Sequence, residues 1–125
     1  MLKLTAAIAA IALLAGAPAL AQTAPGGVKV TPDGFNDARD MPLYTYASDT
    51  TAGKSVCNGG CAAAWPPLAA TATDTGMGDW TVITRDDGSK QWAYKGKPLY
   101  TWAKDTKPGD KTGDNVGNAW HTAKD

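Results

Sequence analysis

The chain has 125 residues, of which twelve are basic and twelve acidic, so its formal net charge at pH 7 is zero. This length allows one domain, and the neutral balance gives no electrostatic surface for nucleic acid or anionic lipid. Every acidic residue is aspartate and 14 residues are glycine. Since aspartate and glycine favour turns, the composition favours a turn-rich β protein over a helical one.

Residues 1–21 have the features of a secretory signal peptide. Residues 4–15 are an apolar run, and residues 19–21 read Ala-Leu-Ala, a small-x-small cleavage site. We expect an exported protein, periplasmic or secreted, whose mature chain begins at Gln22. Loss of Lys3 with the signal leaves eleven basic and twelve acidic residues, a net charge of −1. The apolar run is shorter than the about 20 residues that span a bilayer, and the cleavage site carries no cysteine, so no membrane anchor is expected after cleavage.

A polar linker is predicted at residues 22–27, followed by a single β domain over residues 28–125. Residues 28–30 alternate in polarity and predict a short strand, whereas residues 31–40 are rich in turn formers.

Two nine-residue segments are nearly identical. Residues 42–50 read Pro-Leu-Tyr-Thr-Tyr-Ala-Ser-Asp-Thr, and residues 98–106 read Pro-Leu-Tyr-Thr-Trp-Ala-Lys-Asp-Thr, so seven of nine positions agree. Such tandem repeats bury a shared core between their copies. We therefore predict two pseudo-repeated units, at about 28–68 and about 80–122.

Each copy has the alternation of a β-strand. In the first copy Leu43 and Thr45 share one face and the aromatic residues the other. The shared motif is Tyr-x-aromatic-x-x-Asp, formed by Tyr44, Tyr46 and Asp49 in the first copy and by Tyr100, Trp102 and Asp105 in the second. Its rings are expected in the core or in cross-strand pairs; the alternative is an exposed aromatic strip that stacks on a sugar or a flat ligand.

The motif aspartates have two interpretations. Each follows a repeat strand, where its carboxylate can accept backbone N–H bonds and fix a turn. Gly53 and Gly109 follow at the repeat offset and can supply the positive φ of such a turn. The alternative is a calcium site in the second loop, whose weak candidate ligands are Asp105, Asp110 and Asp114. The spacing differs from an EF-hand loop, and the first copy lacks most of these oxygens.

The only two cysteines are Cys57 and Cys61, in Cys-Asn-Gly-Gly-Cys. Outside the cytoplasm, two neighbouring cysteines favour a structural disulfide, and the glycines let the backbone curl. The alternative is a redox or metal-binding pair. Against it, three residues rather than two separate the cysteines, and no helix pattern follows to lower a thiol pKa.

Between the copies, the pattern at residues 80–103 predicts a three-stranded meander with tight turns at residues 86–88 and 95–97. Residues 62–64 predict one helical turn, ended by two prolines. Residues 69–79 predict a loop.

The only histidine is His121, beside Trp120 near the C-terminus. It is expected to be structural or solvated; copper or haem ligation with Met41 or Met77 is the alternative. The sequence contains no evident nucleophile–base arrangement, no phosphate-binding glycine loop and no zinc-type cluster, so no enzymatic activity is expected.

Taken in order, these motifs resemble a group of bacterial exported proteins described as predicted lipoproteins or secreted repeat proteins with a Tyr-x-(Phe/Trp/Tyr)-x-x-Asp motif. Four further stretches carry the resemblance, namely residues 57–62, 65–68, 87–100 and the Trp-His at 120–121. The resemblance covers nearly all of residues 28–122. Because the chain has no cysteine after the signal to carry a lipid, it resembles the soluble secreted members. The resemblance implies no particular activity.

These observations predict a small all-β domain of two pseudo-repeated hairpin and meander units, with turn-rich loops and one short-range disulfide. We expect a non-enzymatic exported module, without a cofactor, that binds a protein or small-molecule ligand through loops or aromatic residues. The alternative is a redox or metal-handling periplasmic protein that uses Cys57, Cys61 and His121. Since only the first copy has cysteines and only the second has the aspartate-rich loop, activity is expected where the copies differ.

Overall fold

The computed structural model describes residues 24, 25 and 27–125. The predicted signal peptide and half of the predicted linker (residues 22, 23 and 26) lie outside the described residues. The strands are β1 (Lys29–Thr31), β2 (Gly34–Asn36), β3 (Tyr44–Tyr46), β4 (Ala69–Ala70), β5 (Trp80–Thr84), β6 (Lys90–Tyr94), β7 (Lys97–Pro98) and β8 (Trp120–Thr122). Helix α1 spans Gly60–Ala64, and a 3-10 turn spans Val116–Asn118. Within this part of the chain, no helix has the length and apolarity to cross a membrane.

The all-β prediction is confirmed. The predicted meander at 80–103 is present, but its third strand, β7, spans only Lys97–Pro98, and the residues after it form isolated bridges at Tyr100 rather than a strand. Strand β5 pairs with β6, and β6 with β7, in antiparallel order. Three strands were not predicted, namely β2, β4 and β8. Strand β2 lies in the turn-rich stretch after β1 and pairs with it. Strand β4 lies in the predicted loop at 69–79 and pairs with β6. Its two alanines carry no alternation, so only the partner strand makes this segment extended.

The two repeats exchange their last strands. Strand β8 of the second repeat pairs with β3 of the first. In the equivalent position at the end of the first repeat, β4 and the residues just before it pair with residues of the second repeat. The Leu68 amide donates to the Leu99 carbonyl at 2.8 Å, as the Ala123 amide donates to the Leu43 carbonyl at 2.7 Å. Each repeat therefore completes the sheet of the other, and neither can form its full hydrogen-bond ladder alone.

The copies meet at a pair of equivalent tyrosines. The Tyr44 amide donates to the Tyr100 carbonyl at 2.8 Å, and the Tyr100 amide donates to the Tyr44 carbonyl at 2.9 Å. Residues that exchange both bonds in this way face each other directly. The prediction that these two tyrosines occupy equivalent positions is confirmed, and a local pseudo-twofold axis passes between them.

Two hydrophobic clusters lie on opposite faces of the repeat strands. The first contains Leu43 and Leu99 with the rings of Phe35, Trp80 and Trp92. The second cluster contains Tyr44, Cys57, Trp65, Tyr100 and Trp120. The alternation predicted for the repeat strands is thus observed, but both faces are covered. Because each cluster draws side chains from both repeats, the two copies form one folding unit.

Candidate functional site

The polar groups of the repeat motif bond to each other across the two repeats. The Tyr44 hydroxyl donates to Oδ2 of Asp105 at 2.6 Å, and the Tyr100 hydroxyl donates to Oδ2 of Asp49 at 2.5 Å. Both tyrosines are fully buried, and Asp105 is 7% exposed. Each tyrosine therefore satisfies the carboxylate of the other copy, which makes the motif a clasp between repeats.

The second oxygen of each motif carboxylate holds its own loop. Oδ1 of Asp49 accepts the Val56 amide at 2.7 Å, and Oδ1 of Asp105 accepts the Thr112 amide at 2.8 Å. In both copies the bonded amide lies seven residues after the aspartate. The glycines at the repeat offset have φ values of 78° and 92°, as these turns require. The predicted turn-fixing role is observed, whereas the bond to the opposite tyrosine was not predicted.

The motif tyrosines are held in their protonated form. Burial, strengthened by the hydrogen bond to Asp105, raises the pKa of Tyr44 well above its ordinary value. Burial and the bond to Asp49 do the same to the pKa of Tyr100. A buried phenol that donates to a carboxylate stays protonated over the physiological pH range. In this state the two motif tyrosines hold the repeats together.

Four aromatic rings form one continuous stack beside the clasp. Tyr46 stacks on Trp120 at a centroid distance of 4.1 Å, Trp120 on Trp65 at 3.8 Å, and Trp65 on Trp102 at 3.9 Å. The order is symmetric about the pseudo-twofold axis. Trp65 and Trp120 are 5% exposed, and the end rings Tyr46 and Trp102 are half-buried. The stack therefore serves mainly as core.

The predicted disulfide between Cys57 and Cys61 is confirmed. Cys57 is fully buried and Cys61 is half-buried against the second hydrophobic cluster. The loop that carries it is held by Arg85, a residue that sequence reasoning missed. Nη2 of Arg85 donates to the Cys57 carbonyl at 2.5 Å and to Oδ1 of Asn58 at 3.4 Å.

Arg85 is 5% exposed, and its guanidinium group is surrounded by acceptors. Its Nη1 donates to Oε1 of Gln91 at 2.7 Å and to Oγ of Ser55 at 3.0 Å. The Ser55 hydroxyl lies 2.7 Å from the Tyr100 hydroxyl, which donates to Asp49. A directed chain of hydrogen bonds thus joins the cation to a motif carboxylate and satisfies a charge that would be costly to bury alone.

The weak candidate metal ligands have separate structural roles. Oδ2 of Asp110 accepts the amides of Thr106 and Lys107 at 3.0 and 3.2 Å. Oδ1 of Asp114 accepts the Thr122 amide at 3.2 Å, and His121 is exposed on β8. Within residues 24, 25 and 27–125, no three His, Cys, Asp or Glu side chains group as metal ligands would.

The two repeats differ most in their hairpins. In the first, Thr31 pairs with Gly34, so two residues form the turn. The matching pair in the second is Ile83 and Gln91, with seven residues between. The longer hairpin brings Arg85 back over the disulfide loop. Its Asp86 accepts Nζ of Lys54 at 2.6 Å and Nδ2 of Asn58 at 3.0 Å. We call this filled position the sealed site.

The same position in the first repeat is open. A cleft of about 330 Å³ lies between the β1–β2 hairpin and residues 109–111; we call it the first-repeat cleft. In the sealed site the Gly53 amide donates to the Gly96 carbonyl at 2.9 Å. The counterparts at the repeat offset, Gly109 and Asp40, both line the cleft.

Two substitutions between the copies separate the open position from the sealed one. Gly34 stands where the second repeat has Gln91, whose side chain fills the sealed site. Lys111 stands where the first repeat has Ser55. The sequence itself contained a signal for this difference. Alignment of β2 and β6 on Phe35 and Trp92 shows that the two hairpins differ in length. The pattern alone could not show which hairpin covers which loop.

A second cleft of about 210 Å³ lies beside β7 and the C-terminal residues. Lys95, Lys97 and Lys124 line it together with Tyr94. Nζ of Lys95 lies 3.6 Å from the carboxylate of Asp125, and the Tyr94 hydroxyl donates to that carboxylate at 2.5 Å. This smaller cleft is partly neutralised by the chain itself.

The comparisons with known proteins identify the family. A family model described as a secreted repeat of unknown function matches the chain twice, at residues 25–69 and 81–124. No curated protein and no solved structure matches the chain. Each matched segment contains one hairpin and one copy of the clasp motif, and each ends at the strand that pairs with the other copy. The chain therefore belongs to the Lipoprotein_15 family of secreted repeats and carries two copies of the repeat.

Proposed function

We propose that this exported protein is a non-enzymatic periplasmic or secreted binding module, and that its ligand enters the first-repeat cleft. One observation carries the proposal. Two positions related by the repeat lie between equivalent strands and loops but beside hairpins of unequal length, and one is filled by the chain's own side chains whereas the other is open.

The repeat motif itself is a poor candidate for the binding surface. Its hydroxyls and carboxylates bond to each other, and its central rings are buried in the stack. A ligand that used these groups would have to replace bonds already made, at a cost of about 1–3 kcal/mol for each buried group left unpaired. Binding is therefore expected where the copies differ.

The size and chemistry of the first-repeat cleft support a small polar ligand or a single side chain. Its volume is at the lower end of the range for small-molecule sites, which is about 300–1,000 Å³. The carboxylates of Asp33, Asp40 and Asp110 and the ammonium of Lys111 line it. Several polar groups that converge on one concave surface fix the orientation of a ligand.

The test is an amide-resolved NMR screen of the purified protein against small cations, anions, sugars and flat aromatic compounds. We expect at least one class to shift the amides of residues 31–36 and 109–111, and none to shift those of Ser55 and Gln91 in the sealed site. The variant Lys111→Trp places a large ring in the cleft and should weaken that binding roughly tenfold, about 1.4 kcal/mol.

The matched control is Lys104→Trp, because Lys104 is also exposed but lies outside the lining of both clefts. It should bind as the wild-type protein does. If compounds shift the exposed edge of the aromatic stack at Tyr46 or Trp102 and leave the cleft unchanged, the proposed location is wrong. If no class shifts any surface, the binding function itself is contradicted.

A further inference from the structure

We infer that the ligand of the first-repeat cleft carries a guanidinium group, such as the side chain of an arginine. The inference rests on the proposed function, because it names the chemistry of the group that enters the cleft. Its basis is the sealed site, where the second repeat shows the matching position occupied by Arg85.

The sealed site shows what this architecture accepts. Arg85 enters between the hairpin and the loop that follows the clasp aspartate, and both of its terminal nitrogens donate to groups on the two sides. The acceptors are the Gln91 amide oxygen on the hairpin, and the Ser55 hydroxyl and the Cys57 carbonyl on the loop. A planar fork of donors suits two facing rows of acceptors better than a single ammonium does.

The first-repeat cleft has the same two walls without the occupant. Gly34 on the hairpin and Lys111 on the loop are the counterparts of Gln91 and Ser55, and both line the cleft. Gly34 has no side chain, and a Cβ atom there would lie 2.6 Å from the Ala123 carbonyl oxygen. Position 34 therefore cannot supply a side chain that fills the cleft, as Gln91 helps to fill the sealed site.

Three aspartates line the cleft, Asp33, Asp40 and Asp110, together with Lys111. Two of the carboxylates already have ion-pair partners, since Nζ of Lys29 lies 2.8 Å from Asp40 and Nζ of Lys107 lies 3.2 Å from Asp110. Among the described residues Asp33 has no ion-pair partner, so its carboxylate is the group best placed to receive a cation. A hydrogen bond from the Thr106 amide, together with the bonds from Lys107, holds the pKa of Asp110 below its ordinary value. Asp110 is therefore ionised over the physiological range. The counterparts of the Gln91 and Ser55 acceptors are Gly34 and Lys111, so the cleft binds a cation through its aspartates rather than through the acceptors of the sealed site.

The probe is N-acetyl-arginine methylamide, titrated into the purified protein and followed through the amides of residues 31–36 and 109–111. The citrulline analogue has nearly the same shape without the charge, and the lysine analogue has the charge without the fork. We expect the arginine probe to bind at least roughly tenfold more tightly than the citrulline probe, and roughly threefold more tightly than the lysine probe.

Two isosteric variants test the wall charges, and a third serves as their control. Asp33→Asn and Asp110→Asn should each weaken binding of the arginine probe roughly two- to fivefold, since each removes one partly exposed charge. The matched control is Asp74→Asn. Asp74 accepts the Thr71 amide at 2.8 Å, three residues earlier, as Asp110 accepts that of Lys107, but it lies outside the cleft. This control should leave binding unchanged.

The variant Lys111→Ser restores the residue type of the sealed site. Removal of the opposing ammonium should strengthen binding of the arginine probe roughly two- to fivefold. A gain in affinity cannot arise from unfolding, so this variant keeps the test valid even if an aspartate variant is unstable. A pentapeptide Gly-Gly-Arg-Gly-Gly separates the two sources of a guanidinium: tighter binding than the methylamide indicates a protein segment, and equal binding indicates a small guanidino compound.

The outcomes separate the inference from the proposed function. Equal binding of the arginine and citrulline probes at the cleft would overturn the guanidinium inference and leave the binding site in place. An equal loss in Asp74→Asn and Asp110→Asn would also overturn it. If neither these probes nor the compounds of the screen shift the cleft amides, both the inference and the proposed function fail.

Discussion

The clasp between the repeats predicts an unusual pattern of energetic coupling. Tyr44→Phe removes the hydroxyl that donates to buried Asp105 and accepts the Gly113 amide at 3.2 Å. A hydrogen bond to a buried charge contributes about 1.5–3 kcal/mol, and an amide left without an acceptor adds about 1 kcal/mol. We therefore expect Tyr44→Phe to lower the free energy of unfolding by about 2–4 kcal/mol.

Urea unfolding followed by circular dichroism measures this loss, with the midpoint lowered and the slope unchanged. The control is Tyr46→Phe, which makes the same change in a half-buried ring that stacks on Trp120. It should cost less than about 0.5 kcal/mol. Because the two substitutions remove the same atom, the difference between them reports the hydroxyl bonds of Tyr44.

A double-mutant cycle then locates the partner. The coupling energy of Tyr44→Phe with Asp105→Ala, in the other repeat, should be roughly 1.5–3 kcal/mol. The coupling with Asp49→Ala, in the same repeat, should stay below about 0.5 kcal/mol. The reasoning is refuted if the pair within one repeat couples as strongly as the pair across the repeats.

Three further predictions concern the core. The pKa values of Tyr44 and Tyr100 are raised in the folded protein, so their contribution to stability is full below about pH 10, the ordinary value, and is lost as the pH rises further; tyrosinate absorbance from these residues should appear only with unfolding. Arg85→Ala should cost about 2–4 kcal/mol, because it leaves its buried acceptors unpaired, and millimolar guanidinium should restore part of the melting temperature where equal sodium chloride does not. Gly113→Ala should cost about 1–3 kcal/mol and weaken the near-ultraviolet signal of the ring stack, because the added methyl would lie 2.7 Å from the Trp65 ring; a wild-type melting curve would contradict that packing.

The sequence was sufficient for the local features. The duplicated nine-residue segment predicted two equivalent units, the alternation around Tyr44 predicted which side chains share a face, and the glycine-rich spacing predicted the disulfide. These features depend on residues close together in the chain. They follow from strand periodicity and backbone freedom, which one segment shows by itself.

The pairing between the repeats could not be read in the same way. Nothing in the first copy indicates that its tyrosine bonds to the aspartate of the second, because an exchanged arrangement and an independent one have the same pattern. Strand β4 was missed for the same reason, since its alanines are extended only beside β6. Arg85 was missed because a charged residue in a turn is usually solvated, whereas here the longer hairpin buries it.

The central claim is that the first-repeat cleft is the open counterpart of the site that Arg85 seals. The most direct measurement is an amide-resolved guanidinium titration of the wild-type protein and of Arg85→Ala. We predict that the wild-type protein responds at residues 31–36 and 109–111 but not at Ser55 or Gln91, and that the variant responds at all of these positions. A variant that responds at Ser55 and Gln91 while residues 109–111 stay silent in both proteins would contradict the equivalence of the two sites.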